Sequence, residues 1–246
     1  MKKYDDIVFD SWSSFKESVA MDICKKDGFP YKKFIFRGQA DADWGLVSSF
    51  DRTFADMPFH LKQKLQQDLI GNFKKSCRQF ESLNLENYSD IEIMSLGQHY
   101  GLPTRLLDWS YSIYIAAFFA YTSFSVQSSS VAIWAIDTTH EIWQGEYGVS
   151  IYQDMIDRNS RQMQQFAVFT MNKSPDKSIE SYVERCSKEH DVQGALYKIL
   201  IPISERRVAL NDLDMMGITH CTLLGGIDGC AQTALVQEYL KETFNI

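Results

Sequence analysis

Apolar residues along this chain recur with two periods. Short runs rich in aromatic and β-branched residues predict strands over Phe34–Arg37, Val131–Ile136, Gln165–Met171 and Leu196–Ile203. Longer stretches with apolar positions three and four apart predict helices over Ser11–Cys24, His60–Phe80, Asp90–Tyr100, Tyr111–Phe124, Ile151–Arg158 and Ser178–Glu189. Two looser patterns extend the helical set to Asn211–Met216 and Gly229–Thr243. Tyr111–Phe124 carries Ile113, Ile115, Ala116, Ala117, Phe118, Phe119 and Ala120, so it is apolar on nearly every side and is expected at the centre of the molecule. The helices precede and interrupt the strands with no regular βαβ rhythm. That pattern predicts an α+β fold, a small mixed or mainly antiparallel sheet with helices packed around it.

Composition narrows the class. The 246 residues contain no Pro- or Gly-rich linker, charge block or repeat, and are read as a single domain, 1–246. A helical portion (about 1–125) precedes a strand-richer one (about 126–246). No apolar run reaches the ~18–20 residues of a membrane helix, so no membrane partner is expected. The opening Met1-Lys2-Lys3-Tyr4-Asp5-Asp6 lacks an apolar core and does not read as a signal peptide. Cys24, Cys77, Cys186, Cys221 and Cys230 are odd in number and contain no C-x-x-C pair, so no metal site is expected and the thiols read as incidental in a cytoplasmic protein. The formal charge of −7 opposes nonspecific nucleic-acid binding, which rests on a basic face.

Two segments concentrate the chemistry. Phe34-Ile35-Phe36-Arg37-Gly38-Gln39 places a permanent cation at the end of a strand, beside a residue with no side chain. Its forked donors suit phosphate or carboxylate; pairing with an Asp or Glu is the simpler alternative. Gln98 to Ser110 packs His99, Tyr100, Thr104, Arg105, Asp108, Trp109 and Ser110 between two apolar helical stretches. Gly101 can end the first helix in the left-handed region, Pro103 keeps it from resuming, and Ser110 or Asp108 can cap the next. Arg105 and Asp108, three residues apart, can pair and hold the turn. Among the tryptophans, read mostly as core, Trp109 borders this polar turn.

These segments resemble the FRG domain family, named for a Phe-Arg-Gly motif that Phe36-Arg37-Gly38 matches. Trp44 to Arg52 is similar to the family's following Trp, Leu, Ser and Arg positions. Gln98-His99-Tyr100-Gly101-Leu102-Pro103-Thr104-Arg105-Leu106-Leu107-Asp108-Trp109-Ser110, with Ala116 to Ala120, is similar to its longest signature. Asn159, Arg161, Gln165 and Phe169 fall where the family has a late Asn/Arg–Gln–Gly–Phe pattern, with Ala167 replacing the usual Gly. Ile227-Asp228-Gly229 resembles its C-terminal Asp-Gly. The resemblance implies a bacterial or phage setting, in conflict or defence.

A looser resemblance, of order along the chain, links these positions to ADP-ribosyltransferases. Those enzymes present a strand Arg or His, then a Ser- or Tyr-bearing step into a helix, then a strand Glu. The resemblance implies NAD as cofactor, a small anionic or nucleotide ligand and a protein acceptor. Arg37, His99 and Gln165 become the candidate catalytic residues, with Gln165 at the Glu position. Arg37, Gly38, Gln39, Tyr100, Thr104, Arg105, Trp109, Ser110 and Arg161 become the candidate binding residues. A Gln carries no charge to oppose an oxocarbenium ion, so Glu180 and Glu184 are alternatives for that role. Two other readings stay open. One is a phosphodiesterase or nuclease built on His99, Arg105, Asp108 and Arg161. The other is a nucleotide- or protein-binding module without chemistry.

Overall fold

The computed structural model describes residues 5–19, 33–80, 85–123, 127–145, 148–153 and 167–241. Its strands are β1 (Asp5–Val8), β2 (Phe34–Gln39), β3 (Leu106–Ser110), β4 (Ser130–Asp137), β5 (Val149–Tyr152), β6 (Ala167–Asn172) and β7 (Leu196–Pro202). They form one seven-stranded sheet in the order β1-β7-β4-β2-β3-β6-β5. β1 runs parallel to β7 and every other neighbouring pair is antiparallel. The fold is therefore α+β with a mainly antiparallel sheet, as the mixed periodicity predicts.

The helices are α1 (Trp12–Ser18), α2 (Ser49–Thr53), α3 (Phe59–Cys77), α4 (Asp90–His99), α5 (Ile113–Tyr121), α6 (Ile179–His190), α7 (Arg206–Met215), α8 (His220–Leu224) and α9 (Gly226–Leu240). Alternation along β4 shows how they divide the core. Val131, Ile133 and Ala135 pack with residues of α1, α5, α7, α8 and α9, while Ala132, Trp134 and Ile136 pack with residues of α6. A third cluster joins Ile70 of α3 and Ile93 and Met94 of α4 to Leu106, Phe169 and Met171. Both faces of β4 are thus covered, which is why it reads as a nearly continuous apolar run. The expected central helix is α5, buried along almost its whole length.

Local chemistry explains the joints. α4 ends in a Schellman motif, in which the Leu102 amide donates to the Gly97 carbonyl at 2.9 Å and the Gly101 amide to that of Gln98 at 3.1 Å. The motif requires φ of +85° at Gly101, the conformation expected there. At the other end of the chain's topology, α1 is held from a distance. The Trp12 amide donates to Glu205 and its indole to Asp212, each at 2.8 Å, and Lys16 pairs with Asp212. Lys16, then Trp12, hold the Asp212 carboxyl below its ordinary range.

The structure corrects three expectations. The segment before α5 is not only a turn: Leu106–Ser110 is an interior strand, paired with β6 along its length. Its central Asp and short length hide it from pattern reading. The N-cap of α5 is Ser112, whose hydroxyl accepts from the Ile115 amide, and Ser110 instead accepts from the Ser112 amide. Ile151 and Tyr152 belong to an edge strand opposite Thr170 and Phe169, not to a helix; 154–158 lie outside the described residues.

Close packing of α5 on β2 fixes one position sterically. A Cβ on Gly38 would lie 1.8 Å from the Ala116 carbonyl oxygen. Gly38→Ala is expected to destabilise the fold by about 3 kcal/mol or more, read as a large fall in the midpoint of thermal or urea unfolding. Asp212→Asn supplies a pH-dependent counterpart. Because the folded pKa of Asp212 is lowered, its contribution is present above about pH 4 and is lost as pH falls through the folded value. The stability gap between wild type and Asp212→Asn should therefore close on acidification below about pH 4.

Candidate functional site

The sheet is weakest in its middle. β2 pairs with β4 over six residues and β3 with β6 over five, but β2 and β3 share the single pair Phe36↔Ser110. Beyond that pair the strands part, and a cleft of ≈ 470 Å³ opens. Arg37, Gln98, His99, Asp108 and Ser110 give it a polar wall. Phe36, Ile115, Ala116, Phe119 and Leu224 give it an apolar one, supplied mostly by α5. A largely apolar hollow with a few convergent polar groups is the usual form of a small-molecule site.

Arg37 bridges the parting strands. Its Nη1 donates to the Asp108 main-chain carbonyl at 2.7 Å and lies 3.7 Å from Asp108 Oδ2. Its Nε is buried and donates to nothing among the described residues. The side chain is mostly enclosed, 23 % exposed, whereas Asp108 is 48 % exposed. Burial pushes the Arg37 pKa down, Asp108 opposes that, and Arg52 adds to it. The guanidinium stays charged at neutral pH regardless. The result is a mostly enclosed cation with unused donor capacity beside a hollow, the electrostatic condition for holding an anion.

Asp108 is itself held. Gln98 Nε2 donates to both its carboxylate oxygens, at 2.8 and 2.7 Å, and the Thr104 hydroxyl donates to Gln98 Oε1. Thr104 is in turn fixed by Ser49, whose hydroxyl accepts from the Thr104 amide and donates to its carbonyl. This chain of hydrogen bonds runs from α2 through the end of α4 to β3, and it sets where a negative charge faces Arg37.

The expected site residues fall into three groups. Arg37, Gly38, His99, Trp109 and Ser110 meet at the cleft, though Gly38 lacks a side chain because the α5 backbone occupies that space. The Trp109 indole is committed elsewhere, buried and donating to Thr170 Oγ1 at 2.8 Å. Gln39, Tyr100, Thr104 and Arg105 are not among the cleft-lining residues. Gln39 ties Gly45 to Trp134, donating to the Gly45 carbonyl and accepting from the Trp134 indole. Tyr100 is 79 % exposed. Arg161 and Gln165 lie outside the described residues.

The expected Arg105–Asp108 pair does not form. Arg105 is buried, with Nε 3.4 Å from Asp51 Oδ2 and its guanidinium over the Phe59 ring, while Asp108 faces Arg37 and Gln98. Alternation on a strand separates them: residues three apart on β3 and its lead-in point to opposite faces. The nuclease constellation therefore loses Arg105. Glu180, offered as a substitute acid, accepts from the Leu46 amide at 2.8 Å and is not among the cleft-lining residues; neither is Glu184. Gln98 received no role from the sequence. Its position in the same polar segment as His99 and Asp108 was the available signal.

These features coincide with a family assignment. Residues 32–129 match the model of the FRG domain. Every residue lining the cleft except Leu224 lies inside that stretch. No curated protein and no solved structure matches the chain. Among the described residues, no helix is long and apolar enough to cross a membrane, and no group of three or more His, Cys, Asp or Glu is placed to hold a metal ion.

The two Arg–Asp contacts predict losses of stability of different size. Asp51→Ala strands a buried guanidinium and should cost about 3 kcal/mol or more of stability. Asp108→Ala removes a half-exposed carboxylate and should cost about 1 kcal/mol or less. Urea denaturation of both variants checks the ranking.

Proposed function

We propose that the cleft binds a nucleotide, with NAD the foremost candidate, and that the protein acts on it in the manner of an ADP-ribosyltransferase. The observation that carries this reading is the position of Arg37: an enclosed, incompletely partnered cation at the parting of two strands, opposite a wall of apolar α5 side chains. The strand order adds support. Arg37 on β2 and Ser110 on β3 lie on neighbouring strands, so the first two steps of the resemblance face one cleft.

In this reading Arg37 anchors the pyrophosphate or the adenosine-side ribose, and the apolar wall receives the nicotinamide. Cleavage breaks the bond between ribose C1′ and the nicotinamide nitrogen. The neutral nicotinamide leaves with the electron pair, and positive charge develops on the ribose. Asp108 is the carboxylate on the polar wall of the described cleft, and Gln98 fixes both its oxygens. It is the group able to oppose that charge. His99, exposed at the cleft, is placed to take the proton of an attacking hydroxyl. A protein side chain or water then completes the transfer.

Incubation with NAD tests the reading. Wild type should release nicotinamide and be thermally stabilised by NAD. Arg37→Ala should lower NAD affinity at least about tenfold, the loss of one charge-assisted contact of ~1.5 kcal/mol. Asp108→Asn should keep the affinity and lose turnover. Stabilisation without release in wild type would make this a binding module; neither effect would end the NAD assignment.

A further inference from the structure

The sequence gives no reason to associate Cys221 with Cys230, yet the fold brings their sulfurs to 3.2 Å. Cys221 lies in the first turn of α8 and Cys230 in α9, beyond the tight Gly225 joint, where φ is +63°. Both thiols are exposed, unlike Cys77 and Cys186, which are buried. The backbone holds the pair together. The Cys221 amide donates to Thr233 Oγ1 on α9 at 2.8 Å, and Thr219 and Thr222 close a capping box that fixes the start of α8. Gly229, beside Cys230, packs against the His220 carbonyl, with no room for a side chain between the helices.

We propose that Cys221 and Cys230 form a redox-active dithiol that closes to an intramolecular disulfide and clamps α8 to α9. A disulfide needs its sulfurs at about 2.05 Å, so the approach remaining is about 1 Å. The oxidant is a low-molecular-weight disulfide. One thiolate attacks it and displaces the first small thiol; the second thiolate then attacks the mixed disulfide and displaces the other. The two cysteines together give up two electrons and two protons, the small disulfide accepts them, and it leaves as two thiols. The proximity of the second sulfur makes this closing step intramolecular, so the mixed disulfide does not accumulate.

The position gives the modification a consequence. α8 carries Leu224 into the apolar wall of the cleft, only three residues from Cys221. Oxidation fixes that helix, and with it one boundary of the cleft, independently of which ligand the cleft takes.

The experiment treats the full-length chain with oxidised glutathione, quenches with acid, alkylates free thiols and digests with trypsin. Cys221 and Cys230 fall in one tryptic peptide, 208–241, with no other cysteine. In wild type this peptide should lack two hydrogens and carry neither glutathione nor alkyl groups, and dithiothreitol should reverse the change. The melting temperature should rise on oxidation and return on reduction. Cys221→Ser and Cys230→Ser should each bind one glutathione on the remaining thiol and show no such rise. Wild type that accumulates glutathione on either cysteine, links to a second chain, or stays fully alkylatable under conditions that modify the single variants would overturn the proposal. Buried Cys77 and Cys186 should carry no glutathione, which reports that the chain stayed folded during oxidation.

Discussion

The contact between α5 and β2 is the constraint from which the site follows. A glycine at position 38 lets the α5 backbone approach the strand until the Ala116 carbonyl fills the volume of a missing side chain. α5 therefore sits low on the sheet, and its Ile115, Ala116 and Phe119 become one wall of the cleft. β2 is paired along its full length with β4 on the other side. Anchored to both, it parts from β3 after a single residue pair, and Arg37 extends into the gap. The FRG motif thus joins a steric requirement at Gly38 to an electrostatic one at Arg37, in adjacent residues with different tasks.

The polar residues of the Gln98–Ser110 segment divide in the same way. Arg105 is removed from water and matched by Asp51, with Lys62 3.3 Å from the same carboxylate, an arrangement that secures α2 and α3 to the sheet. Thr104 and Gln98 are linked to each other and hold the Asp108 carboxylate open toward the cleft. Half of the segment stabilises the fold and half shapes the cavity. An arginine enclosed with a full partner and an arginine enclosed without one are distinct electrostatic objects, even when both belong to one motif.

Much of the architecture was legible in the sequence, for reasons that also show where reading stopped. β4 and β7 are long, mainly apolar runs with both faces covered, and α5 is apolar all round, so their burial leaves a strong pattern. β3 was missed because it is only five residues long, with Asp108 at its centre, inside a segment that reads as a polar turn. β1 and β5 were missed because each is a four-residue strand at a sheet edge. At the site, residue identity announced a polar cluster but not its pairing. Arg105 and Asp108 are close in sequence, yet their partners are Asp51 and Arg37, over 50 residues away, and only the folded sheet determines that exchange.

The parallel pairing of β1 with β7 carries a kinetic consequence. Asp5 to Val8 register against Tyr197 to Leu200, and the Trp12 amide and indole reach carboxylates 193 and 200 residues away. During synthesis these early residues have no partner until most of the chain has emerged. Interactions of such sequence separation carry a large loop-closure entropy and form late, so the sheet should grow outward from its local hairpin-like pairings and take on this edge last. Until then Trp12 and Phe15, both fully enclosed in the finished molecule, remain uncovered apolar surface for a nascent-chain chaperone to shield.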